Sequence, residues 1–485
     1  MLLNQLVKNI KYTLVKGNID IDICDVIYDS RKVVPNSVFV CLKGYTSDGH
    51  KYIDNAIQSG ATAVVICDDI AVNSDVTVIK VNDSRLALAY MSAEFFGNPS
   101  NELKTIAITG TKGKTSTVAM IKSILEKAGI KTGTIGTLGI VIGDNTYKTN
   151  NTTPESYEVQ QAMRNMINQG CKAMIIEASS LGLKWNRVAG INFDIGVFTN
   201  FSNDHIGDSE HKDINEYLSC KALLFKQCKI GIVNADDNAT DKILMGSTCK
   251  VLTYGIDKKA DYIGTNDRLL ASDNFIGVAF DVSGRVNFST KVSISGRFSV
   301  YNALASIAVA DVLGISQDAI CDGLGTVTVK GRVEAVPTNG DYTLLIDYAH
   351  NAVSMQSVLS TLREYKPNRL ITMFGAGGNR PKIRRYEMGE VSGRMSDLSV
   401  ITEDNSRFED VKDIIADILV GINKTNGKYV VIENRAEAIK YCISIAQKGD
   451  IIVLAGKGHE DYQEIKGVKY HFDEREVIAD ILNNK

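Results

Sequence analysis

Residues 103–125, LKTIAITGTKGKTSTVAMIKSIL, restrict the fold more than any other stretch of this chain. A continuous apolar run stops at Gly110, a short loop follows, and Val118, Ile121, Ile124 and Leu125 then recur at helical spacing. An apolar run without polar alternation reads as a strand buried on both faces. Leading through a tight loop into a helix, it reads as half of a parallel β–α–β unit. The same plan recurs in AMIIEASS (173–180), IGVFTNFSNDH (195–205) and KIGIVNADD (229–237). It returns in TLLIDYAH (343–350), RLITMFGAGG (369–378), DLSVITEDNSR (397–407) and DIIVLAGKGHE (450–460). Alternation of this kind predicts an α/β protein with parallel sheets covered by helices, whose ligands collect at the carboxyl ends of the strands.

Two breaks divide the chain. Turn chemistry in FFGNPSNEL (95–103) precedes the first strong strand–loop–helix unit, and the pattern changes again in GTVTVKGRVEAVPTNGD (325–341). Three α/β domains follow, over 1–100, 101–329 and 330–485. Composition excludes several classes of function. A net charge of −3 lacks the basic excess that nucleic acid or an anionic membrane demands. No apolar run approaches the length of a membrane span, and Asn4, Gln5, Lys8 and Asn9 break the first segment, which is therefore no signal peptide. Nine cysteines without a C-x-x-C pair point to reduced thiols in a cytoplasmic protein.

The loop ITGTKGKTS departs from the strict G-x-x-x-x-G-K-[ST] pattern, because the first required glycine would fall on Ile108. It keeps the physical essentials: Gly110 and Gly113, then Lys114, Thr115 and Ser116 opening a helix. Backbone N–H groups at such a helix start hold phosphate oxygens. Lys114 is expected on the terminal phosphates and the Thr115 hydroxyl near Mg²⁺. Glu177 and His205 each end a strand expected beside this loop, and they form the candidate metal ligands. Taken singly, each also fits an ordinary loop residue. In EYLSCKALLF (216–225), helical periodicity puts Lys221 near the polar edge, the position of a solvated lysine. Periodicity thus gives a P-loop ATPase and little about its substrate.

A resemblance carries the reading further. TGTKGKTS, NTTPES (151–156), EASSLGL (177–183), FTNFSNDH (198–205), GRFSVYNALAS (296–306), GRVEAV (331–336) and DYAHN (347–351) occur in the order seen in the Mur ligase family. YDSR (28–31), DGHKY (48–52), DNSR (404–407) and GKGHEDYQ (456–463) resemble its MurE branch, which adds the third residue of the peptidoglycan peptide. The resemblance implies a UDP-sugar-binding N-terminal domain, a central P-loop ATPase domain with a mostly parallel sheet, and a Rossmann-like C-terminal domain. It implies an ATP-dependent amide ligase acting on UDP-N-acetylmuramoyl-L-Ala-D-Glu through an acyl phosphate, and a monomer.

Carried over by residue, the resemblance puts ATP on Gly110, Thr111, Lys112, Gly113, Lys114, Thr115, Ser116, Asn302, Arg332 and Asp347. It puts two Mg²⁺ on Thr115, Glu177, His205 and Lys221, the last as a CO₂-derived carbamate. Ser30, Tyr45, Thr46 and Ser47 match UDP-binding positions. Asn151, Thr152, Thr153, Ser179 and Arg187 match positions that hold the muramoyl dipeptide. Trp185 stands where relatives often carry glutamine, and Leu181 where histidine is common. Arg385, Asp404, Asn405, Ser406, Arg407, Gly456 and Glu460 match the amino-acid site, with Ser406 in place of the usual proline. Arg407 suits the extra carboxylate of meso-diaminopimelate. L-Lysine, a folylpolyglutamate synthetase-like reaction and a non-catalytic nucleotide-binding scaffold are the alternatives.

Overall fold

Every apolar run singled out above is a strand in the computed structural model, which describes residues 1–44, 47–202, 207, 210–272 and 275–483. The chain forms two compact units. One comprises Met1–Ile263, Gly284–Val286 and Leu304–Gly323, and the other Gly264–Ser283, Asn287–Ala303 and Leu324–Lys485.

The first unit contains two sheets. In the N-terminal one the order is Tyr12–Lys16, Thr77–Val81, Ala61–Ile66, Ser37–Val40, Val26–Ile27. Its first pair is antiparallel and the others are parallel. Leu3, Leu6, Val38, Val40, Ala63, Val65, Leu88 and Met91 fill the core on one of its faces. The central sheet runs Lys250–Gly255, Cys228–Asn234, Phe193–Phe198, Lys104–Thr109, Ala173–Glu177, Thr132–Gly136, all parallel. Gly139–Ile142 and Asn145–Tyr147 extend it antiparallel. Lys104–Thr109 lies between Phe193–Phe198 and Ala173–Glu177, so the loop after it and the residues ending its two neighbours open at one edge of the sheet.

The N-terminal and central sheets share a unit because polar contacts tie them together. Tyr28 donates to Glu158 (2.6 Å), Tyr157 donates to Asp25 (2.8 Å), and Arg85 pairs with Glu155 (2.9 Å). The Arg85 guanidinium also stacks on Trp185, 4.0 Å from the ring centroid. In this structure the indole therefore covers an arginine of the N-terminal region.

In the second unit a sheet runs Glu334–Val336, Thr343–Asp347, Ile451–Ala455, Leu370–Phe374, Leu398–Ile401, Tyr429–Val431. Only its first pair is antiparallel. An antiparallel hairpin, with Val278 opposite Val292, was not foreseen from the alternation of apolar runs and helices. Among the described residues no helix is long and apolar enough to cross a membrane.

Beneath the carboxyl ends of this sheet lies a fully buried ion pair. Arg435 meets Glu474 at 2.8 Å and donates to the carbonyls of Glu403 (3.0 Å) and Ala455 (3.0 Å). Removing one partner strands the other charge in a dry interior, a loss of about 3–5 kcal/mol. Arg435→Ala should therefore lower the thermal midpoint and expose the Ile451–Ala455 amides to hydrogen exchange. Arg435→Met with Glu474→Leu should recover most of the loss. Unchanged exchange in Arg435→Ala would refute this account of the pair.

Candidate active site

The loop after Lys104–Thr109 is shaped by its neighbour strand. Gly110 adopts φ +150°, and a Cβ there would fall 1.9 Å from Thr199 Oγ1, so only glycine fits. Thr199 Oγ1 donates to the Lys112 carbonyl (2.7 Å). Asn200 brackets the loop from both sides: its Oδ1 accepts from Lys112 N (2.9 Å) and its Nδ2 donates to Lys112 O (3.0 Å). Gly113, at φ +83°, then caps helix Lys114–Lys127, leaving the N–H groups of its first turn at the open end. Thr199 and Asn200 were missed from sequence. Their only signal was their place in FTNFSNDH.

Two lysines converge on this loop from 107 residues apart in sequence. Lys114 Nζ donates to Gly110 O (2.9 Å) and Thr111 O (3.1 Å). Lys221 Nζ donates to the same Gly110 carbonyl at 2.9 Å. Lys221 is only 1% exposed, which corrects the solvated-lysine reading of its helix Ile214–Ala222. Its ammonium lies 4.3 Å from the Tyr217 ring centroid, and the Tyr217 hydroxyl is 3.1 Å from Thr111 Oγ1. One turn of helix thus carries both the cation and the aromatic face that shields it. Two ammonium groups on one carbonyl make a concentrated positive field at a helix start, and that suits a polyphosphate.

Glu177 faces the same loop. It is 2% exposed, and both carboxylate oxygens lie 3.1 Å from Thr115 Oγ1. Thr137 donates to it through N (3.0 Å) and Oγ1 (3.2 Å). These oxygens form the hard, compact donor set that Mg²⁺ prefers. Gly136 leaves the space: a Cβ there would sit 2.3 Å from Glu177 Oε1.

The carbonyl of Glu177 continues into the next cluster. Thr153 Oγ1 donates to it (2.8 Å) and lies 3.0 Å from Ser179 Oγ, which caps the following helix through Gly182 N (3.0 Å). Thr152 Oγ1 is 3.3 Å from Thr137 Oγ1. Arg187 reaches Glu155 (2.9 Å) and the Thr153 carbonyl (3.1 Å). Thr152, Thr153, Ser179 and Arg187 are therefore brought together beside Glu177, with Asn151 exposed at the margin. Ser30 opens the turn Ser30–Lys32, and Ser47 precedes the turn Gly49–Tyr52 with its hydroxyl 3.3 Å from the Tyr52 hydroxyl. Tyr45, Thr46 and His205 lie outside the described residues.

His211, unassigned from sequence, is fully buried and links two of these elements. Its Nε2 is 2.8 Å from Ser180 Oγ, and its ring packs 5.1 Å from that of Tyr217. Burial, with Lys184 and Lys221 nearby, holds its pKa below the usual imidazole value.

In the second unit, Asp347 ends strand Thr343–Asp347 and accepts from Val333 N (2.8 Å) and Ala349 N (2.7 Å). Burial pushes its carboxyl up, against those two bonds and the nearby Arg332. Asp347 thus fixes the backbone beside Arg332, while Asn302 is buried on helix Phe298–Val312.

A cavity at the carboxyl ends of this unit's sheet is lined by Gly377, Arg385, Asp404, Asn405, Arg407, Gly456 and Glu460, among others. Asn405 is its hub: Nδ2 donates to Glu460 (2.8 Å), and Oδ1 accepts from Lys457 Nζ (3.2 Å) and Glu464 N (2.9 Å). Lys457, another residue missed from sequence, is fully buried, and burial lowers its pKa. Arg407 takes φ +52°, a strained value for arginine that recurs at functional sites. Its partners are Glu464 (3.2 Å) and the Gly378 carbonyl (2.9 Å). Glu409 grips Arg385 (2.8 Å), together with Asp417 (2.8 Å). Ser406 is buried, and its carbonyl packs so near Gly378 that a Cβ there would lie 1.9 Å away.

Family models match three successive regions of the chain. The description Mur ligase family, catalytic domain, matches residues 23–96; Mur ligase middle domain matches 108–310; and Mur ligase, glutamate ligase domain, matches 331–458. The UDP-N-acetylmuramoyl-L-alanyl-D-glutamate–2,6-diaminopimelate ligase of Caldanaerobacter subterraneus subsp. tengcongensis is 45% identical over 99% of both chains. That of Clostridium perfringens is 41% identical over all of both chains. A solved structure of a ligase of the same name superposes with a TM-score of 0.79 at 28% identity, covering 100% of this chain and 99% of that one.

Proposed function

The chain belongs to the Mur ligase family, and from that premise we propose that it joins meso-2,6-diaminopimelate to UDP-N-acetylmuramoyl-L-Ala-D-Glu at the expense of ATP. The observation that carries the reading is the convergence of Lys114, Lys221, Thr115 and Glu177 on one loop. The domain limits 1–100, 101–329 and 330–485 give one domain each to the UDP-sugar, the nucleotide and the amino acid.

A carboxylate is a poor acyl donor. Transfer of the γ-phosphoryl group to the D-Glu carboxylate makes an acyl phosphate, the amine attacks its carbonyl carbon, and phosphate leaves as the amide forms. The residues Gly110–Ser116 cradle the polyphosphate, and Lys114 trades its loop carbonyls for terminal phosphate oxygens. Thr153, Ser179 and Arg187 orient the dipeptide whose carboxylate reacts, and positioning supplies much of the rate. Asn302, Arg332 and Asp347 serve the nucleoside end.

The oxygen set of Thr115 and Glu177 fits Mg²⁺, and His205 with Lys221 would hold a second ion. When bound, Mg²⁺ neutralises charge on the transferring phosphoryl group. Lys221 serves this site as a carbamate: its neutral amine attacks CO₂, a C–N bond forms and one proton leaves. The modification replaces repulsion between the two ammonium groups at Gly110 by attraction. Gly136→Ala tests the carboxylate shelf. It should displace Glu177 and weaken the apparent Mg²⁺ affinity by about 10–100-fold, as read by a Mg²⁺ titration of the rate. An unchanged titration would count against Glu177 as a ligand.

In the second unit, Arg407 faces the carboxylate that diaminopimelate has and lysine lacks, while Asp404, Asn405, Gly456 and Glu460 take the amino end. The direct assay supplies ATP, Mg²⁺ and UDP-N-acetylmuramoyl-L-Ala-D-Glu and follows phosphate release with each amino acid. Release dependent on meso-diaminopimelate is expected. Release with L-lysine alone would replace the substrate, and none with any amino acid would favour the scaffold reading.

A further inference from the structure

The turn 331–334, which carries Arg332 into strand Glu334–Val336, is strained. Val333 takes φ +43°, a value that β-branched side chains rarely adopt. Three hydrogen bonds hold the turn. The Val333 N–H donates to Asp347 (2.8 Å), the Gly331 N–H donates to the Glu334 carboxylate (2.7 Å), and the Gly331 carbonyl accepts from Tyr348 N (2.9 Å). They fix the backbone on both sides of Arg332.

Arg475 closes the turn from another element. It stands in the first turn of helix Glu474–Asn483, and its guanidinium forks onto Glu334, with Nε 2.9 Å from Oε1 and Nη2 bonded to Oε2. Nη2 also donates to the Gly458 carbonyl (3.1 Å), and Nη1 is held by Asp473 (3.0 Å). One side chain thus joins the turn that carries Arg332 to the segment 456–460. Both partners of the ion pair are largely buried, at 22% and 15% side-chain exposure, so the fork is stronger and more directional than a surface pair. Packing repeats the link. A Cβ on Gly331 would lie 2.3 Å from His459 N, and one on Gly458 would lie 2.6 Å from Tyr348 Cβ. Glycines at 331 and 458, both at positive φ, let the two backbones touch.

We propose that Arg475 is a positioning residue that couples nucleotide binding at Arg332 to amino-acid binding at the segment 456–460. The inference rests on the proposed function and adds to it a link between two of its binding steps. Arg475 acts through Glu334 on one side and the Gly458 carbonyl on the other. The strained turn has a relaxed alternative, in which Val333 returns to negative φ and Arg332 is re-aimed. A nucleotide held by Arg332 favours the strained form, and the fork passes that preference to Gly458. An amino acid bound at the segment favours the same form from its own side. Each ligand then raises the affinity for the other by one common factor.

The test titrates the full chain with meso-diaminopimelate by calorimetry, in Mg²⁺ and UDP-N-acetylmuramoyl-L-Ala-D-Glu, with and without β,γ-methylene-ATP. In the wild type the nucleotide analogue should tighten amino-acid binding by about 10-fold. Arg475→Ala should cut that factor to about 2-fold or less. Arg475→Lys, which cannot fork, should restore part of it. Thermal melting separates coupling from stability. Val333→Gly relieves the strain, so Arg475→Ala combined with Val333→Gly should regain most of the midpoint that Arg475→Ala loses, while the coupling stays lost. A full coupling factor in Arg475→Ala overturns the inference, and so does coupling that returns with the midpoint in the double variant. A wild type that binds the two ligands independently also overturns it and leaves the proposed function standing. A wild type that binds another amino acid and not meso-diaminopimelate overturns both.

Discussion

Lys221→Ala is expected to reduce turnover by at least about 10³-fold, in line with the loss of a charged group acting at a transferring phosphoryl. Lys221 is 1% exposed, its Nζ shares the Gly110 carbonyl with Lys114, and Tyr217 covers it from below. Truncation removes the hydrogen bond that helix Ile214–Ala222 sends through this lysine to the Gly110 carbonyl, and with it the carbamate oxygens proposed for Mg²⁺. The check is steady-state phosphate release with nucleotide binding measured in parallel. Retained ATP binding with lost turnover is the expected pair of results. Depleting bicarbonate should slow the wild type and leave Lys221→Ala where it is. A Lys221→Ala enzyme with full turnover would return the residue to a packing role.

The second large effect concerns choice of amino acid. Arg407→Ala should lower kcat/KM for meso-diaminopimelate by about 10²-fold, the loss of one charge-assisted pair of about 1.5–3 kcal/mol. Affinity for ATP should not change. Preference over L-lysine should narrow by the same factor, because lysine has no carboxylate for the guanidinium to meet. The strained φ of +52° means that the backbone spends free energy to aim this side chain, and that strain is relieved by glycine. Arg407→Gly should therefore lose the same selectivity as Arg407→Ala while keeping a higher thermal midpoint. An unchanged amino-acid preference in either variant would sink the assignment.

The sequence was most informative where chemistry is local. Each apolar run became a strand; Gly110 and Glu177 stand at strand ends as a doubly covered sheet requires, and Lys114 and Thr115 open the helix that follows the loop. Lys221 shows where pattern fails. Helical periodicity sorts residues by polarity, so it assigned a lysine to solvent, although a long side chain can be buried when its head finds a carbonyl and a ring. Asn200, His211 and Lys457 were illegible for another reason. Their partners Lys112, Ser180 and Asn405 lie between 31 and 88 residues away, and no window of sequence spans such a pair. Arg407 pairs with Glu464 and Arg385 with Glu409 and Asp417, so neither arginine is matched by its nearest acid in sequence.

Lys114 holds the carbonyls of Gly110 and Thr111 before any nucleotide arrives, while Thr199 and Asn200 already fix the loop around it. Nucleotide entry is therefore an exchange reaction. Two hydrogen bonds to neutral carbonyls are given up for bonds to phosphate oxygen, so the calorimetric heat per lysine is a difference and not a sum. Because the loop does not fold on contact, the heat-capacity change on binding ATP should be that of the buried base and ribose alone, with no share from ordering the chain.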